Sequence, residues 1–148
     1  MKLTIVHSNI SLLNQKLDAI IVFILENSGL TESGLNSLPN ALKKNINTSI
    51  NLKVFTGKQD NCQHLLTGYA NIPQILAVGL GKKSEINSEK LRRSAGKAGK
   101  MLTSMKAKKI GFTVTSHLQK YSETDVGQVL VEGLTLGAYR FNVYKESH

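Results

Sequence analysis

The sequence of 148 residues has a single cysteine, Cys62, so it can form neither an internal disulfide nor a cysteine-based zinc site. It also lacks a long apolar run. The longest, Ala19 to Leu25, is too short to cross a bilayer. Polar residues interrupt the opening stretch MKLTIVHSNISLL and leave no signal-peptide core. These absences predict a soluble, cytoplasmic protein with no membrane partner.

Recognisable catalytic motifs are missing as well. The four histidines, at positions 7, 64, 117 and 148, show neither H-x-x-x-H nor H-E-x-x-H spacing. The sequence has no G-x-S-x-G elbow and no C-x-x-C, and its acidic residues are scattered singly. A two-metal hydrolase needs several carboxylates that converge within a few ångströms. We therefore predict no catalytic and no metal-binding residue in this chain.

Cys62 allows two interpretations. A nucleophilic cysteine needs a nearby histidine or a helix N-terminus, and His64 would share its face if both lie on a strand. The stretch NCQHLLTGY is typical of a strand entering a sheet, which favours a small, half-buried side chain instead.

Basic residues are concentrated in one part of the sequence. The formal net charge is +9, and residues 82–109 hold ten basic residues against only two acidic ones. The rest of the chain is nearly neutral. We expect one face of the protein to be strongly positive.

The hydrophobic pattern predicts alternating strands and helices in one domain over residues 1–148. The predicted strands cover Lys2–Val6, Asp18–Glu26, 51–57, 63–69, 74–80 and 109–115, and the predicted helices cover Ser37–Asn47, Asn87–Met105 and Thr124–Phe141. The strand from Asp18 is apolar on both faces, as a central strand covered on two sides should be. An α/β sandwich follows.

The predicted helix over residues 88–105 separates apolar from basic residues. Its apolar face is formed by Leu91, Ala95, Ala98, Leu102 and Met105. The opposite face carries Lys90, Arg93, Lys97 and Lys100. Such a ridge could bind nucleic-acid phosphates, although the absence of interleaved aromatic residues argues against base stacking. The alternative is a solvated basic surface.

The stretch VGLGKKS before this helix resembles two phosphate-binding motifs but completes neither of them. Lys83 stands where a Walker A loop needs serine or threonine, and Ser84 stands where a dinucleotide fingerprint needs its third glycine. A nucleotide or ADP-ribose site over Gly79–Ser84 remains one hypothesis. The other is a tight turn that the glycines permit.

Two segments together resemble the N-terminal domain of leucyl (cytosol) aminopeptidases. They are ILAVGLGKKSEINSEKLRRSAGKAGK and VEGLTLGAYRFNVYK. The first resembles a strand, a V-G-L-G-K turn and a basic, alanine-rich helix. The second resembles the helix that closes the same domain. Their order and separation also fit, and the similarity extends over nearly the whole chain.

The resemblance implies a mixed β-sheet sandwiched by helices, similar to a macro domain. It implies that this domain has an accessory role in assembly or regulation and that the catalytic domain is absent from this chain. It also implies that the full-length parent protein is a homohexamer. In the family, that other domain holds two divalent metals, zinc or manganese, and removes N-terminal residues, leucine preferred. Its signature N-T-D-A-E-G-R does not occur here. We therefore expect a fragment of a longer enzyme, without cofactors of its own, in which Arg140 and Tyr144 follow the last helix and either contact the absent domain or cap the helix.

Overall fold

The computed structural model of the chain describes residues 4–6, 16–26, 40–53, 55–68, 70–112 and 125–146. The strands are β1 (Thr4–Val6), β2 (Ala19–Leu25), β3 (Cys62–Leu66), β4 (Gln74–Gly81) and β5 (Lys109–Phe112). The helices are α1 (Asn40–Asn51), α2 (Ser88–Ser104) and α3 (Val126–Glu146).

The strands form one mixed sheet in the order β1-β5-β2-β4-β3. The pairs β1–β5, β5–β2 and β2–β4 are parallel, whereas β3 pairs with β4 antiparallel. Strands β4 and β5 lie on either side of β2, and α2 connects them across that central strand. The predicted mixed sheet is confirmed.

Strand β2 lies at the centre of the sheet and is buried on both faces. Its side chains alternate between two hydrophobic clusters because successive residues of a strand point to opposite faces. Ile21 and Phe23 belong to the cluster under α2 and α3, which we call the α2–α3 cluster. Ile20 and Val22 belong to the cluster on the α1 side, which we call the α1 cluster. The apolar run that the sequence shows therefore supplies two cores at once.

Helices cover both faces of the sheet, as predicted. Leu91, Ala95, Ala98 and Leu102 of α2 are fully buried in the α2–α3 cluster. On the opposite face, Ile46 of α1 is fully buried in the α1 cluster. The helical face predicted for α2 is thus the one that contacts the sheet.

The carboxylate of Asp18 fixes the start of two neighbouring strands. Its Oδ2 accepts hydrogen bonds from the backbone N–H groups of Lys108 at 2.8 Å and Lys109 at 2.9 Å. The backbone N–H of Asp18 in turn donates to the carbonyl of Lys109 at 2.7 Å. These contacts link the beginning of β2 to the beginning of β5.

The strand predicted over residues 51–57 is wrong. Helix α1 continues to Asn51, a turn follows, and residues 55–57 have no strand structure. Lys53 and Gly57 have φ angles of 58° and 86°, which interrupt an extended chain. Phe55 is nevertheless fully buried in the α1 cluster. This apolar residue therefore packs into the core from a loop and not from a strand.

Two helices continue beyond their predicted ends. Helix α1 ends at Asn51 instead of Asn47. Helix α3 continues to Glu146 instead of ending at Phe141, so Arg140 and Tyr144 lie within the helix. No glycine or proline interrupts the sequence after Gly137, which is consistent with the longer helix. The start predicted for the first helix, at Ser37, lies outside the described residues.

Candidate binding groove

Helices α2 and α3 cross at a close distance because glycines lie at the contact. A Cβ atom added at Gly137 would overlap the backbone of Gly96, and one added at Gly99 would overlap the carbonyl oxygen of Leu134. A Cβ at Gly133 would likewise overlap the carbonyl of Arg92. These glycines therefore bring α2 close to α3.

A groove of about 780 Å³ follows this crossing on the outer surface. The basic side chains that line it, among the described residues, come from α2: Arg92, Arg93, Lys97 and Lys100. Two carboxylates, Asp60 and Glu89, and the apolar side chain of Leu136 lie in the same lining. Its size is within the range of pockets that hold small ligands or short peptide segments.

Carboxylates engage both arginines of the groove. Arg92 lies 3.2 Å from Glu89 and 3.5 Å from Glu132, so it links α2 to α3. Arg93 lies 3.3 Å from Asp60, which precedes β3. These pairs are partly exposed and stabilise the fold by at most about 1 kcal/mol each. They therefore orient the guanidinium groups more than they hold the domain together.

Lys97 and Lys100 are the groove cations for which the described residues supply no carboxylate partner. Both side chains are exposed, and neither forms an ion pair within the described part of the chain. They are three residues apart on α2, so they lie on the same side of the helix. The strongest attraction for an anion in the groove therefore comes from these two ammonium groups.

The four residues predicted for nucleic-acid binding do not act as one ridge. Arg93, Lys97 and Lys100 line the groove, whereas Lys90 does not and lies 3.9 Å from Glu85. Sequence reasoning missed Arg92 and Asp60. The glycine pair Gly96 and Gly99 was the available signal for Arg92, because it marks the side of α2 that faces α3. Nothing in the local sequence connects Asp60 with Arg93, 33 residues away.

The glycines before α2 lie at the end of β4, where they pack against the 57–61 segment, and a tight turn follows at residues 83–85. The N–H groups of Gly79 and Gly81 donate to the carbonyls of Asn61 at 2.8 Å and Gly57 at 2.9 Å. A Cβ at Gly79 would overlap the backbone of Lys58. Because the 57–61 segment already uses these amides, they do not point toward a phosphate. The geometry supports the tight-turn interpretation and gives a nucleotide site over Gly79–Ser84 no support.

Cys62 is a half-buried residue that packs against the α2–α3 cluster. Burial raises the pKa of its thiol to about 11, against a smaller opposing effect of the Lys97 charge. His64 lies on the same strand, and its Nε2 is 2.8 Å from Oε1 of Gln74. A thiol with a raised pKa is a poor nucleophile. The interpretation of Cys62 as a packing residue is therefore the better one.

Residues 21–148 match the family model described as the cytosol aminopeptidase family, N-terminal domain. The chain belongs to the cytosol aminopeptidase family. It is 30% identical over 130 residues to a probable cytosol aminopeptidase of Alkaliphilus oremlandii and 32% identical over 130 residues to one of Clostridium perfringens. A probable cytosol aminopeptidase of Rhodococcus jostii is 37% identical over 76 residues. The resemblance seen in the two sequence segments is confirmed.

The chain spans about a quarter of the length of its curated relatives in this family. The aligned region covers 86% of the chain but only 26% of the Alkaliphilus oremlandii protein and 25% of the Clostridium perfringens protein. For the Rhodococcus jostii protein, the shares are 51% and 13%. The match is thus to one domain of longer relatives.

The resemblance implies two divalent metals in the family's other domain. Among the described residues, no three histidine, cysteine, aspartate or glutamate side chains come together as a metal site would require. This part of the chain does not fit a metal pair, so we assign no step to one. No helix within the described ranges is long and apolar enough to span a bilayer.

Proposed function

We propose that the chain is the non-catalytic N-terminal domain of a metal-dependent leucyl aminopeptidase. The larger catalytic domain would hold two divalent metals, zinc or manganese, and remove N-terminal residues from peptides, leucine preferred. The observation that carries this proposal is the family match over residues 21–148. The relatives' name, cytosol aminopeptidase, also supports a cytoplasmic location.

The described side chains favour a role in assembly over a catalytic role. The pKa of the Cys62 thiol is raised by burial to about 11, so it is protonated at neutral pH. The His64 ring contacts the amide side chain of Gln74, a group that cannot act as a general base. We propose that this domain contributes to assembly of a homohexamer, with its own catalytic domain as the direct partner.

An activity assay on this chain tests the first part. The purified chain is incubated with leucine p-nitroanilide and Mn²⁺, and in parallel with Zn²⁺. We expect no release of nitroaniline above a buffer blank, whereas the full-length Clostridium perfringens relative serves as the positive control. Turnover that persists at constant specific activity through repurification would contradict a non-catalytic domain.

The assembly role needs the longer protein. The reading frame after codon 148 is expected to encode N-T-D-A-E-G-R. Analytical ultracentrifugation of the full product and of a product lacking residues 1–148 then compares their masses. We expect a hexamer for the former and smaller species for the latter. An unchanged hexamer would show that assembly does not depend on this domain, and a frame without the signature would contradict the parent enzyme itself.

Nucleic-acid binding by the segment 88–105 stays the alternative. Lys97 and Lys100 support it, because they are exposed and have no ion pair among the described residues. The carboxylates beside Lys90 and Arg93 weaken the positive field that it needs. Duplex affinity that falls steeply with salt, and falls further on charge reversal of Arg93 and Lys97, would support it. Undetectable binding at low ionic strength would exclude it.

A further inference from the structure

The groove between α2 and α3 combines positive charge with exposed apolar surface. Leu136 lines it and has 45% of its surface exposed. Gly96, Gly133 and Gly137 lie in the same lining and have no side chains to fill it. A surface with an exposed leucine beside bare helix backbone suits an apolar side chain of a ligand.

The cations of the groove differ in what is available to a ligand. The guanidinium groups of Arg92 and Arg93 already contact carboxylates. The ammonium groups of Lys97 and Lys100 do not, within the described part of the chain. An anionic group entering the groove would therefore bind beside these two lysines. A carboxylate is a suitable partner, since it accepts hydrogen bonds from an ammonium group at low desolvation cost near the surface.

Two features of the lining favour a peptide over a nucleic acid. The carboxylates of Asp60 and Glu89 lie in the groove and would repel the regularly spaced phosphates of a nucleic-acid strand. Among the residues whose side chains the structure describes, the lining has no aromatic ring on which a base could stack. A peptide carries few charges, and they can be placed to avoid both carboxylates.

We propose that this groove is a docking site for an acidic, leucine-containing peptide segment of a partner protein. Carboxylates of the segment contact Lys97 and Lys100, and a leucine side chain packs on Leu136. The proposal stands apart from the aminopeptidase assignment, because it depends on the groove alone. It therefore survives or fails independently of the activity assay.

Fluorescence anisotropy with two synthetic probes tests the proposal. One is a fluorescein-labelled peptide, Gly-Glu-Leu-Glu-Glu-Leu-Gly, and the other has glutamine at every glutamate position. We expect the glutamate peptide to bind at least about tenfold more tightly at low salt, because two charge contacts are lost with glutamine. Equal affinity of the two probes would overturn the proposal.

Matched double variants identify the lysines. The pair Lys97→Ala and Lys100→Ala is expected to weaken binding of the glutamate peptide about tenfold. The control pair Lys82→Ala and Lys108→Ala removes the same net charge from exposed positions outside the groove lining. We expect it to change the affinity less than about twofold. If both pairs weaken binding equally, the peptide responds to net charge only and the proposal fails.

The apolar contact has its own control. Leu136→Ser is expected to weaken peptide binding a few-fold, because half-exposed apolar area is lost from the contact. Leu52→Ser should have no effect, since Leu52 is 69% exposed and lies outside the groove. A 20-base-pair DNA duplex is measured on the same variants. If the duplex competes with the peptide and binds more tightly, with Leu136→Ser unaffected, the groove is a nucleic-acid surface and the peptide proposal is overturned.

The wild-type protein supplies a test that needs no variant. Gly96, Gly133 and Gly137 lie in the groove lining, and their backbone amides give NMR signals in the characteristic glycine region. We expect these signals to shift on titration with the glutamate peptide. The amide of Gly68, outside the lining, should stay unchanged. Shifts confined to residues outside the groove would overturn the proposal even if binding is observed.

Discussion

At the scale of single residues, the carboxylate of Asp18 makes a specific polar contact between two strands of the sheet. Its Oδ2 accepts the N–H groups of both Lys108 and Lys109. Hydrogen bonds to a charged acceptor contribute more than neutral ones, and their loss leaves two donors without this partner. We expect Asp18→Ala to lower the free energy of unfolding by about 1–2 kcal/mol, measured by urea denaturation at pH 7.

A second carboxylate controls for the removal of charge. Glu85 contacts Lys90 at 3.9 Å on the surface, and its pair is largely solvated. Glu85→Ala should therefore change the free energy of unfolding by less than about 0.5 kcal/mol. Equal effects of the two substitutions would mean that the hydrogen bonds of Asp18 contribute nothing specific.

The same residue makes part of the stability depend on pH. The N–H of Lys109, and then that of Lys108, hold the pKa of the Asp18 carboxyl below its ordinary value. The native state thus binds fewer protons than the unfolded state near that pKa. This contribution is complete above the unfolded pKa of about 4 and is lost as the pH falls through the folded pKa. We expect the stability difference between the wild type and Asp18→Ala to be constant from pH 7 to pH 5 and to shrink between about pH 4 and pH 2. A difference that persists at the acid end would refute the assignment.

Cys62 gives a chemical prediction at the same scale. Because burial raises the pKa of its thiol to about 11, only a small fraction is thiolate at pH 8. We expect alkylation by iodoacetamide to be at least about a hundredfold slower than for glutathione. In urea the chain should react at the rate of a free thiol, which serves as the control. A native rate similar to that of glutathione would show that the thiol is exposed.

These residues also show what the sequence alone could predict. The strand pattern around Cys62 indicated a half-buried thiol, because the alternation of a strand is a local property. The contacts of Asp18 were not predictable, since Lys108 and Lys109 are 90 and 91 residues away. The pairing of Arg93 with Asp60 was missed for the same reason. Side chains that meet through the sheet order leave no trace in local spacing.

At the scale of elements, the crossing of α2 and α3 depends on individual glycines. A Cβ at Gly137 would overlap backbone atoms of Gly96, whereas a Cβ at Gly96 would lie 3.6 Å from the carbonyl oxygen of Gly133. Helices α2 and α3 would have to separate to admit a Cβ atom at Gly137, but not to admit one at Gly96. We expect Gly137→Ala to destabilise the protein by about 1–3 kcal/mol, despite the gain of about 1 kcal/mol in helix propensity.

The matched substitution Gly96→Ala gains the same propensity without the overlap. It should be neutral or stabilise the protein by up to about 1 kcal/mol. Thermal unfolding followed by circular dichroism compares the two. If both substitutions have the same sign, the close approach of the helices at Gly137 is not what the structure indicates.

The elements themselves were predictable to different degrees. The strands β2 and β4 and the helix α2 follow from long apolar runs and from a clear helical period, which local sequence determines. The segment 51–57 also carried an apolar pattern, yet Phe55 is buried from a loop. A helical wheel identified the face of α2 toward the sheet but not the one toward α3. Gly96 and Gly99 mark that second face, but a wheel that scores hydrophobicity alone gives glycines no weight, so the interface with α3 was missed.

At the scale of the whole molecule, the fold leaves only part of the positive charge that the sequence concentrates in one segment unneutralised at the surface. The segment 82–109 holds most of the excess positive charge. Acidic side chains from other elements neutralise part of it: Asp60 contacts Arg93, and Glu132 of α3 contacts Arg92. The sequence therefore predicted the basic segment, but the fold decides which cations remain available. Within the described lining of the groove, those cations are Lys97 and Lys100.

The two hydrophobic clusters share the strands that separate them, which has a consequence for unfolding. Phe55 is fully buried in the α1 cluster and Leu130 in the α2–α3 cluster. Neither cluster can lose its packing without exposing one face of β2, whose other face supports the remaining cluster. We expect Phe55→Ala and Leu130→Ala each to cost about 2–5 kcal/mol. Each should move one common transition, because the sheet couples both sides.

Urea titration followed by NMR, one amide at a time, distinguishes coupled from independent clusters. Amides of α1 and of α2 report on opposite faces of the sheet, and we expect them to share one midpoint in the wild type. In Phe55→Ala both midpoints should fall together, although the substitution lies on the α1 side only. An α1 signal that disappears at lower urea than α2 would show that the α1 cluster unfolds by itself. The central strand would then separate two units instead of joining them, and the cost of each substitution would be confined to its own face.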